Sequence, residues 1–196
     1  MRKIDSEIKY LTKKEIKKLF WSIEKSKNEN KYRLRDLVFF NLAYYCWLRI
    51  SEISLIKLDN FNKDVWQIYI KRLKWSNNST IVLDKQRLLL LKKYIREYRI
   101  KEDSEFLFKT KTWKLVWKPT IEYLVGKYKD MSKLKHFHFH MLKHSIAVHL
   151  LEIWLSIFEL KNYLWHKSIN STMVYSSFSS QMNRDIYNKI SRIWLD

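Results

Sequence analysis

The side chains best suited to binding an anion and moving protons are concentrated between His140 and Tyr175. His140, Lys143 and His144 form the pattern H-x-L-K-H, and His166 precedes Tyr175 by nine residues. Histidine exchanges protons near neutral pH, lysine carries a positive charge, and a tyrosine hydroxyl can act as a nucleophile. This combination predicts a site that binds a negatively charged group and carries out chemistry on it.

The charge of the chain indicates what kind of partner it binds. There are 39 lysine and arginine residues against 20 aspartate and glutamate residues, a net charge of +19. Such an excess suits a polyanion, and nucleic acid is the leading candidate. A membrane surface is a weaker alternative, because no single helix concentrates basic residues opposite a clean apolar face. A generic RNA-binding protein is another, although the aromatic strand pattern of common RNA-binding domains is absent.

The composition favours one domain in a reducing compartment. The chain has 196 residues, 46% of them hydrophobic, which is enough for one domain with its own core. No apolar run is long enough for a transmembrane helix, and the first residues lack the apolar stretch of a secretory signal. The single cysteine, Cys46, excludes an internal disulfide. We therefore expect a cytoplasmic protein with no membrane partner.

The elements that must position these residues are predicted to form a mainly helical α+β fold. Thr12 and Glu15 have the spacing of a capping box before a helical pattern, so a helix is expected to begin there. β-forming residues at 65–73 and 80–83 flank a polar stretch, which predicts a hairpin and hence one small antiparallel sheet. A turn is predicted at 59–64, and further helices are predicted at 32–45, 49–56, 84–98, 119–129, 139–152, 157–164, 169–178 and 181–193.

Four segments resemble the catalytic domain of the tyrosine recombinase (phage integrase) family. H-x-L-K-H is similar to the family's H-x-L-R-H, and the segment ending at Tyr175 is similar to L-G-H-x-x-I-x-T-T-x-x-Y. Residues 47–52 resemble G-L-R-x-S-E, and residues 74–83 resemble K-G-x-K-x-R-x-V-P-L without a gap. The resemblance covers about residues 11–188. It implies a single catalytic domain over 1–196, of the short type without the N-terminal core-binding domain.

The resemblance also implies a function. The chain is expected to be a site-specific recombinase that cuts duplex DNA through a 3′-phosphotyrosyl link to Tyr175 and rejoins it to a partner strand. Integration, excision and inversion stay open, and no metal ion or other cofactor is expected. The expected assembly is a homo-oligomer, a tetramer on two paired DNA sites. In it, a C-terminal helix at 181–196 would pack on a neighbouring protomer.

The matching positions assign a role to each candidate residue. Arg49 would clamp the phosphate, because a planar guanidinium can contact two oxygens at once, and Glu52 would orient it. The alternative for this pair is an ordinary i, i+3 ion pair on a helix. Lys74 would be the general acid that protonates the departing 5′ oxygen, with Lys71 as a competing assignment. The alternative for Lys74 is a solvated hairpin lysine.

The histidines complete the implied site. His140 would bind the phosphate and assist proton transfer at the tyrosine, and His166 would hold a phosphate oxygen or pack the site. Metal binding is a weaker alternative, because no cysteine or carboxylate completes a zinc site beside the nearby histidines. Those histidines are His136, His138, His140 and His144.

Lys143 departs from the family pattern, which has arginine at this position. Lysine keeps the charge but loses bidentate geometry, so we expect a slowed enzyme. A catalytically weak or inactive DNA-binding or regulatory protein on the same fold is therefore the alternative function.

Tryptophan replaces glycine at four positions of the family pattern, namely Trp47, Trp75, Trp154 and Trp165. The chain has nine tryptophans and one glycine, so both counts are unusual. Two explanations are open. The tryptophans are genuine and compensated by their surroundings, or their codons are UGA and the source organism reads UGA as glycine.

Overall fold

The computed structural model describes residues 8–27, 30–62, 64–72, 78–100, 106–110, 112, 114–153 and 155–178. The prediction of a mainly helical α+β fold with one small antiparallel sheet is confirmed. The helices are α1 (Lys13–Glu24), α2 (Asn30–Tyr45), α3 (Ile50–Ser54), α4 (Lys85–Tyr98), α5 (Lys118–Met131), α6 (Phe139–Leu151), α7 (Ile157–Tyr163) and α8 (Asn170–Met173). The strands are β1 (Phe61–Asn62), β2 (Gln67–Ile70) and β3 (Ser79–Val82).

The sheet has the strand order β1-β2-β3, with both pairs antiparallel. Ile68 pairs with Ile81 and Ile70 pairs with Ser79, and all four side chains are buried on one face. The predicted hairpin is therefore present. The predicted turn at 59–64 is replaced in part by a 3-10 turn, Leu58–Asn60, and by β1. Lys74 and Trp75 lie outside the described residues.

Helix α2 lies at the centre of the core and packs against α1, α3, α4 and α6. Its aromatic side chains are buried because this helix is apolar around most of its circumference. Phe39 meets Phe108 edge to face with ring centroids 5.1 Å apart, and Phe40 meets Tyr128 at 5.7 Å. This packing supports α3 and α6, the two helices that carry most of the candidate residues.

The helix starts follow the capping residues in the sequence. Thr12 Oγ1 accepts from Glu15 N at 3.3 Å while the Glu15 carboxylate accepts from Thr12 N at 2.8 Å, which is the predicted capping box. Asp84 caps α4 by accepting from Arg87 N at 3.0 Å. Leu11 N donates to the buried Ser145 Oγ at 2.8 Å and so ties the entrance of α1 to α6.

Several helix ends require a left-handed residue. After α2, Trp47 N donates to Tyr44 O at 3.3 Å and Leu48 N donates to Ala43 O at 3.1 Å. This pair of bonds is the Schellman motif, and it places Trp47 at φ 45°. The same bonds follow α4, α5 and α7, where the left-handed residues are Arg99, Lys133 and Trp165. Glycine is the usual residue at this position, because a Cβ atom strains the conformation.

The last described segment differs from the prediction of one helix at 169–178. Helix α8 ends at Met173, and the chain turns at Val174 and Tyr175. Tyr175 N donates to Thr172 O at 2.9 Å in this turn. The turn directs the Tyr175 side chain into the protein, where it is 2% exposed. Among the described helices, none combines the length and the apolar character needed to span a lipid bilayer.

Candidate active site

Arg49 and Glu52 form the first part of the site, at the start of α3. Glu52 Oε2 accepts from Arg49 N at 2.9 Å, and Oε1 accepts from the Arg49 guanidinium at 2.8 Å. The Glu52 side chain is fully buried, whereas 31% of the Arg49 side chain is exposed. The pair is therefore an i, i+3 ion pair that also orients Arg49, leaving part of its guanidinium open to a ligand.

A second guanidinium, that of Arg72, reaches Glu52 from the end of β2. It donates to Glu52 Oε2 at 2.8 Å and to Ser79 Oγ at 3.0 Å, and its side chain is 1% exposed. Burial alone would raise the pKa of Glu52, but Arg72 and the bonds from Arg49 lower it below its usual value. Glu52 is thus a buried anion between two arginines. The sequence analysis did not identify Arg72.

Helix α6 carries His140, Lys143 and His144 on one face, because residues three and four apart lie side by side on a helix. His140 is in the first turn and is exposed, whereas Lys143 is 5% exposed. Burial, and then the charge of Arg49, lowers the pKa of Lys143 to about 8. Burial, Lys143 and Arg49 also lower the pKa of His140.

His166 approaches the same cations from the loop after α7. Its Nδ1 lies 2.9 Å from the hydroxyl of Thr172, a buried residue of α8. Burial, and then Lys143 and Arg49, lowers the pKa of His166 to about 4. The ring is therefore neutral at pH 7, and the bond to Thr172 holds it beside Lys143.

Tyr175 joins this group through His144, which the sequence analysis placed in the H-x-L-K-H pattern but gave no catalytic role. The Tyr175 hydroxyl and His144 Nδ1 are 2.8 Å apart. The ring of His144 meets that of His140 edge to face, with centroids 4.8 Å apart. Burial raises the pKa of Tyr175. The Tyr175 hydroxyl is therefore buried and bonded to the His144 ring.

The structure brings together most of the residues expected from the sequence. Arg49 and Glu52 are in direct contact, and the charges of Arg49 and Lys143 act on both His140 and His166. The position of Lys74 lies outside the described residues, so its role stays a prediction. In the described part of the chain, no group of three histidine, cysteine, aspartate or glutamate side chains could hold a metal ion.

A cavity of about 470 Å³ opens between α3 and α6, beside this cluster. Arg49 and His140 line it together with mostly apolar side chains, among them Leu55 and Trp117, which are 46% and 62% exposed. Arg49 and His140 can therefore both be reached by a ligand from outside the protein.

Comparison with known proteins identifies the family to which this site belongs. Residues 9–182 match the model of the phage integrase family. The chain belongs to this family. Two curated relatives of this integrase-family chain are 30% identical to it, tyrosine recombinase XerA of Pyrococcus furiosus and tyrosine recombinase XerC of Caldanaerobacter subterraneus. The alignments cover 88% and 92% of this chain and 58% and 50% of the relatives, so the chain spans about half of their length.

Solved structures show which fold the integrase-family chain adopts. A crystal structure of XerA recombinase superimposes with a TM-score of 0.76 at 18% identity, covering 92% of this chain and 64% of that chain. XerH in a post-cleavage complex with a difH substrate gives 0.77 at 22% identity, covering 98% and 55%. The catalytic domain of bacteriophage HP1 integrase gives 0.62 at 17% identity, covering 88% and 89%. The fold is that of tyrosine recombinase catalytic domains, as the sequence analysis predicted.

Proposed function

We propose that this chain is a site-specific recombinase that cleaves and rejoins duplex DNA through a 3′-phosphotyrosyl link to Tyr175. The observation that carries the proposal is the convergence of basic side chains around one buried glutamate, Glu52, with a single tyrosine hydroxyl connected to them through His144. The net charge of +19 and the family membership support DNA as the substrate.

The clamp for the scissile phosphate consists of Arg49, His140, Lys143 and His166. When the tyrosine attacks, extra negative charge develops on the two non-bridging oxygens of the phosphate. Arg49 is held by Glu52 and can donate its free N–H groups to these oxygens. The neutral rings of His140 and His166 supply further N–H donors, and the Lys143 ammonium adds positive charge beneath them.

The departing 5′ oxygen needs a proton, and we propose that Lys74 supplies it. Lys143 is the competing donor, because its pKa of about 8 makes it a better acid than an ordinary lysine. DNA with sulfur in place of the bridging 5′ oxygen distinguishes the two, since a thiolate leaves without a proton. Lys74→Ala should recover cleavage on this substrate, and Lys143→Ala should stay slow. The reverse pattern would assign the acid to Lys143.

Trapping of the covalent intermediate tests the proposed function. Nicked duplexes release a short strand on cleavage, so rejoining fails and the protein stays attached to DNA. Because the target site is unknown, the probe is a library of nicked duplexes of random sequence, and adducts are recovered after denaturation in SDS. Wild type should form adducts in the presence of EDTA, and Tyr175→Phe should form none. Tyr44→Phe is the matched control, because Tyr44 is also buried and bonded to a histidine.

A non-catalytic DNA-binding or regulatory protein on the same fold is the second candidate. The burial of Tyr175 and the lysine at position 143 favour it. This candidate predicts that wild type retards duplexes in a gel but forms no SDS-resistant adduct with any member of the library.

We further propose that the active form is a homo-oligomer, a tetramer on two paired sites in the cytoplasm, with residues 181–196 packed on a neighbouring protomer. The family resemblance supports this assembly. A chain that ends at residue 180 should bind a single duplex like wild type but fail to pair two duplexes, as measured by light scattering of the complexes. Unchanged pairing by the shortened chain would contradict the proposal.

A further inference from the structure

His144, rather than His140, is the histidine in contact with the tyrosine hydroxyl. We propose that His144 is the base that takes the proton from Tyr175 as this hydroxyl attacks DNA. The inference rests on the proposed function and adds one catalytic residue to it.

The position of His144 fits this role. Its Nδ1 lies 2.8 Å from the Tyr175 hydroxyl, within the range for direct proton transfer. It is also one helical turn from His140, and the edge-to-face contact of the two rings puts it next to the phosphate clamp. A single imidazole therefore lies between the nucleophile and the group that would bind the phosphate.

The protonation states of His144 and Tyr175 are those that a base and a nucleophile need before the reaction. Burial, and then the nearby His140 and Lys143, lowers the pKa of His144 to about 4, so the ring is neutral at pH 7. Burial also raises the pKa of Tyr175, so the hydroxyl keeps its proton before the reaction. In the His144 tautomer that carries its proton on Nε2, Nδ1 accepts the hydrogen bond from this hydroxyl. A bound phosphate would place negative charge beside His140 and Lys143. This negative charge offsets the positive charge that lowers the pKa of His144. Bound DNA therefore raises this pKa and makes His144 a stronger base.

Each atom in the step is accounted for. The bond from Tyr175 Oη to phosphorus forms while the bond from phosphorus to the 5′ oxygen breaks. The phenolic proton passes to His144 Nδ1, and the 5′ oxygen takes a proton from the general acid, Lys74. In the rejoining step, the 5′ hydroxyl attacks phosphorus and gives its proton back to Lys74. The bond from phosphorus to Tyr175 Oη breaks, and His144 returns its proton to the departing phenolate.

The protein contains a second buried tyrosine–histidine pair that serves as a control. The Tyr44 hydroxyl lies 2.7 Å from His149 Nδ1, and His149 is on the same helix, α6. Neither residue belongs to the proposed clamp. A variant at His149 therefore reports what the loss of a buried imidazole does to folding, without touching the nucleophile.

The test compares His144→Asn with His149→Asn. An asparagine amide oxygen can accept the tyrosine hydrogen bond near the position of Nδ1, but it cannot take up a proton. Single-turnover adduct formation is measured on a nicked duplex that wild type selects from the random library, and DNA binding is measured by gel retardation. His144→Asn should bind DNA normally and form adducts about 10²–10⁴ times more slowly, the usual contribution of a general base. His149→Asn should resemble wild type.

Several results would overturn the inference. Adduct formation by His144→Asn at the wild-type rate would show that a hydrogen bond is enough and that no base is needed. Faster adduct formation by His144→Ala would mean that the bond to His144 holds Tyr175 at rest. Adducts from Tyr175→Phe, or none from wild type, would refute the proposed function and this inference with it. If Tyr175→Phe forms no adducts while His144→Asn forms them at the wild-type rate, the inference about His144 is refuted and the proposed function is not.

Discussion

Trp165 occupies a backbone position that favours glycine, and the size of this preference can be measured from the stability of variants. It follows α7 in a Schellman motif, with φ 53° and a bond from His166 N to Lys161 O of 3.1 Å. In the part of the chain that the structure describes, five non-glycine residues have positive φ, and three are tryptophans: Trp47, Trp66 and Trp165. With nine tryptophans among 196 residues, such a share is not expected by chance.

We predict that glycine is more stable than alanine at residue 165 and less stable than alanine at residue 21. Both replacements remove the indole, so the effect of its removal on packing cancels when glycine is compared with alanine. A residue with a Cβ atom pays about 1–2 kcal/mol for the left-handed conformation. Glycine loses about 0.5–1 kcal/mol through its greater freedom in the unfolded chain. The free energy of unfolding of Trp165→Gly should therefore exceed that of Trp165→Ala by about 0.5–1 kcal/mol.

Trp21 is the control because it is 61% exposed in the interior of α1, where the backbone is helical. Alanine should be better than glycine there by about 1 kcal/mol. Urea unfolding of the four variants in one buffer gives the free energies, and the expected result is a change of sign between the two sites. If Trp165→Gly is no more stable than Trp165→Ala, the left-handed backbone imposes no strain and the reasoning fails.

The gene provides an independent test of the same idea. Trp47 and Trp165 are two of the four tryptophans at glycine positions of the family pattern, and both are left-handed. This geometry favours UGA codons read as glycine over compensated tryptophans. The other two positions, 75 and 154, lie outside the described residues. UGG codons at all four positions would reject the idea whatever the stability measurements show.

Three further predictions concern the charged cluster. Lys143→Arg should speed adduct formation by up to about 10²-fold by restoring a bidentate donor, and an unchanged single-turnover rate would contradict the role assigned to this residue. Glu52→Gln should lower the free energy of unfolding by about 3 kcal/mol in urea, because the buried guanidinium of Arg72 loses its partner. Because the pKa values of His144 and His166 are about 4 when folded, the unfolded chain binds more protons between pH 4 and 6.5. Stability should therefore be complete above pH 6.5 and fall towards pH 4 in thermal melts, and asparagine at both positions should flatten this fall.

The parts of the fold that depend on residues close together in the sequence could be predicted from the sequence. The cap at Thr12 and the start of a helix at Asp84 were predicted, because a capping residue acts on residues within the next turn. The contact between Arg49 and Glu52 was expected because residues three apart share a helix face. The break at Tyr175 was missed, since helical periodicity continues through it while tertiary packing determines where the side chain points.

His144 was underestimated for a related reason. Its place one turn after His140 was visible in the sequence, but its partner lies 31 residues further along the chain. Whether an imidazole on α6 meets a metal ion, a phosphate or a phenol depends on where the turn after α8 places Tyr175. The sequence contains no signal for that packing, so only the folded arrangement distinguishes a ligand from a base.

Arg72 shows why a family pattern can miss a functional residue even where the chemistry is kept. The pattern K-G-x-K-x-R-x-V-P-L has arginine at the position of Ser79, so this chain has no cation at that position of β3. Ile70 pairs with Ser79 across the hairpin, which brings the residue two positions after Ile70 to the same face. Arg72 is that residue, and it donates both to Ser79 and to the buried Glu52. Glu52 is a buried carboxylate beside the hairpin, so it needs positive charge close to it. This need does not determine which part of the hairpin supplies the charge. Arg72 supplies this charge from a position two residues after the end of β2, where a comparison made one position at a time would not find it.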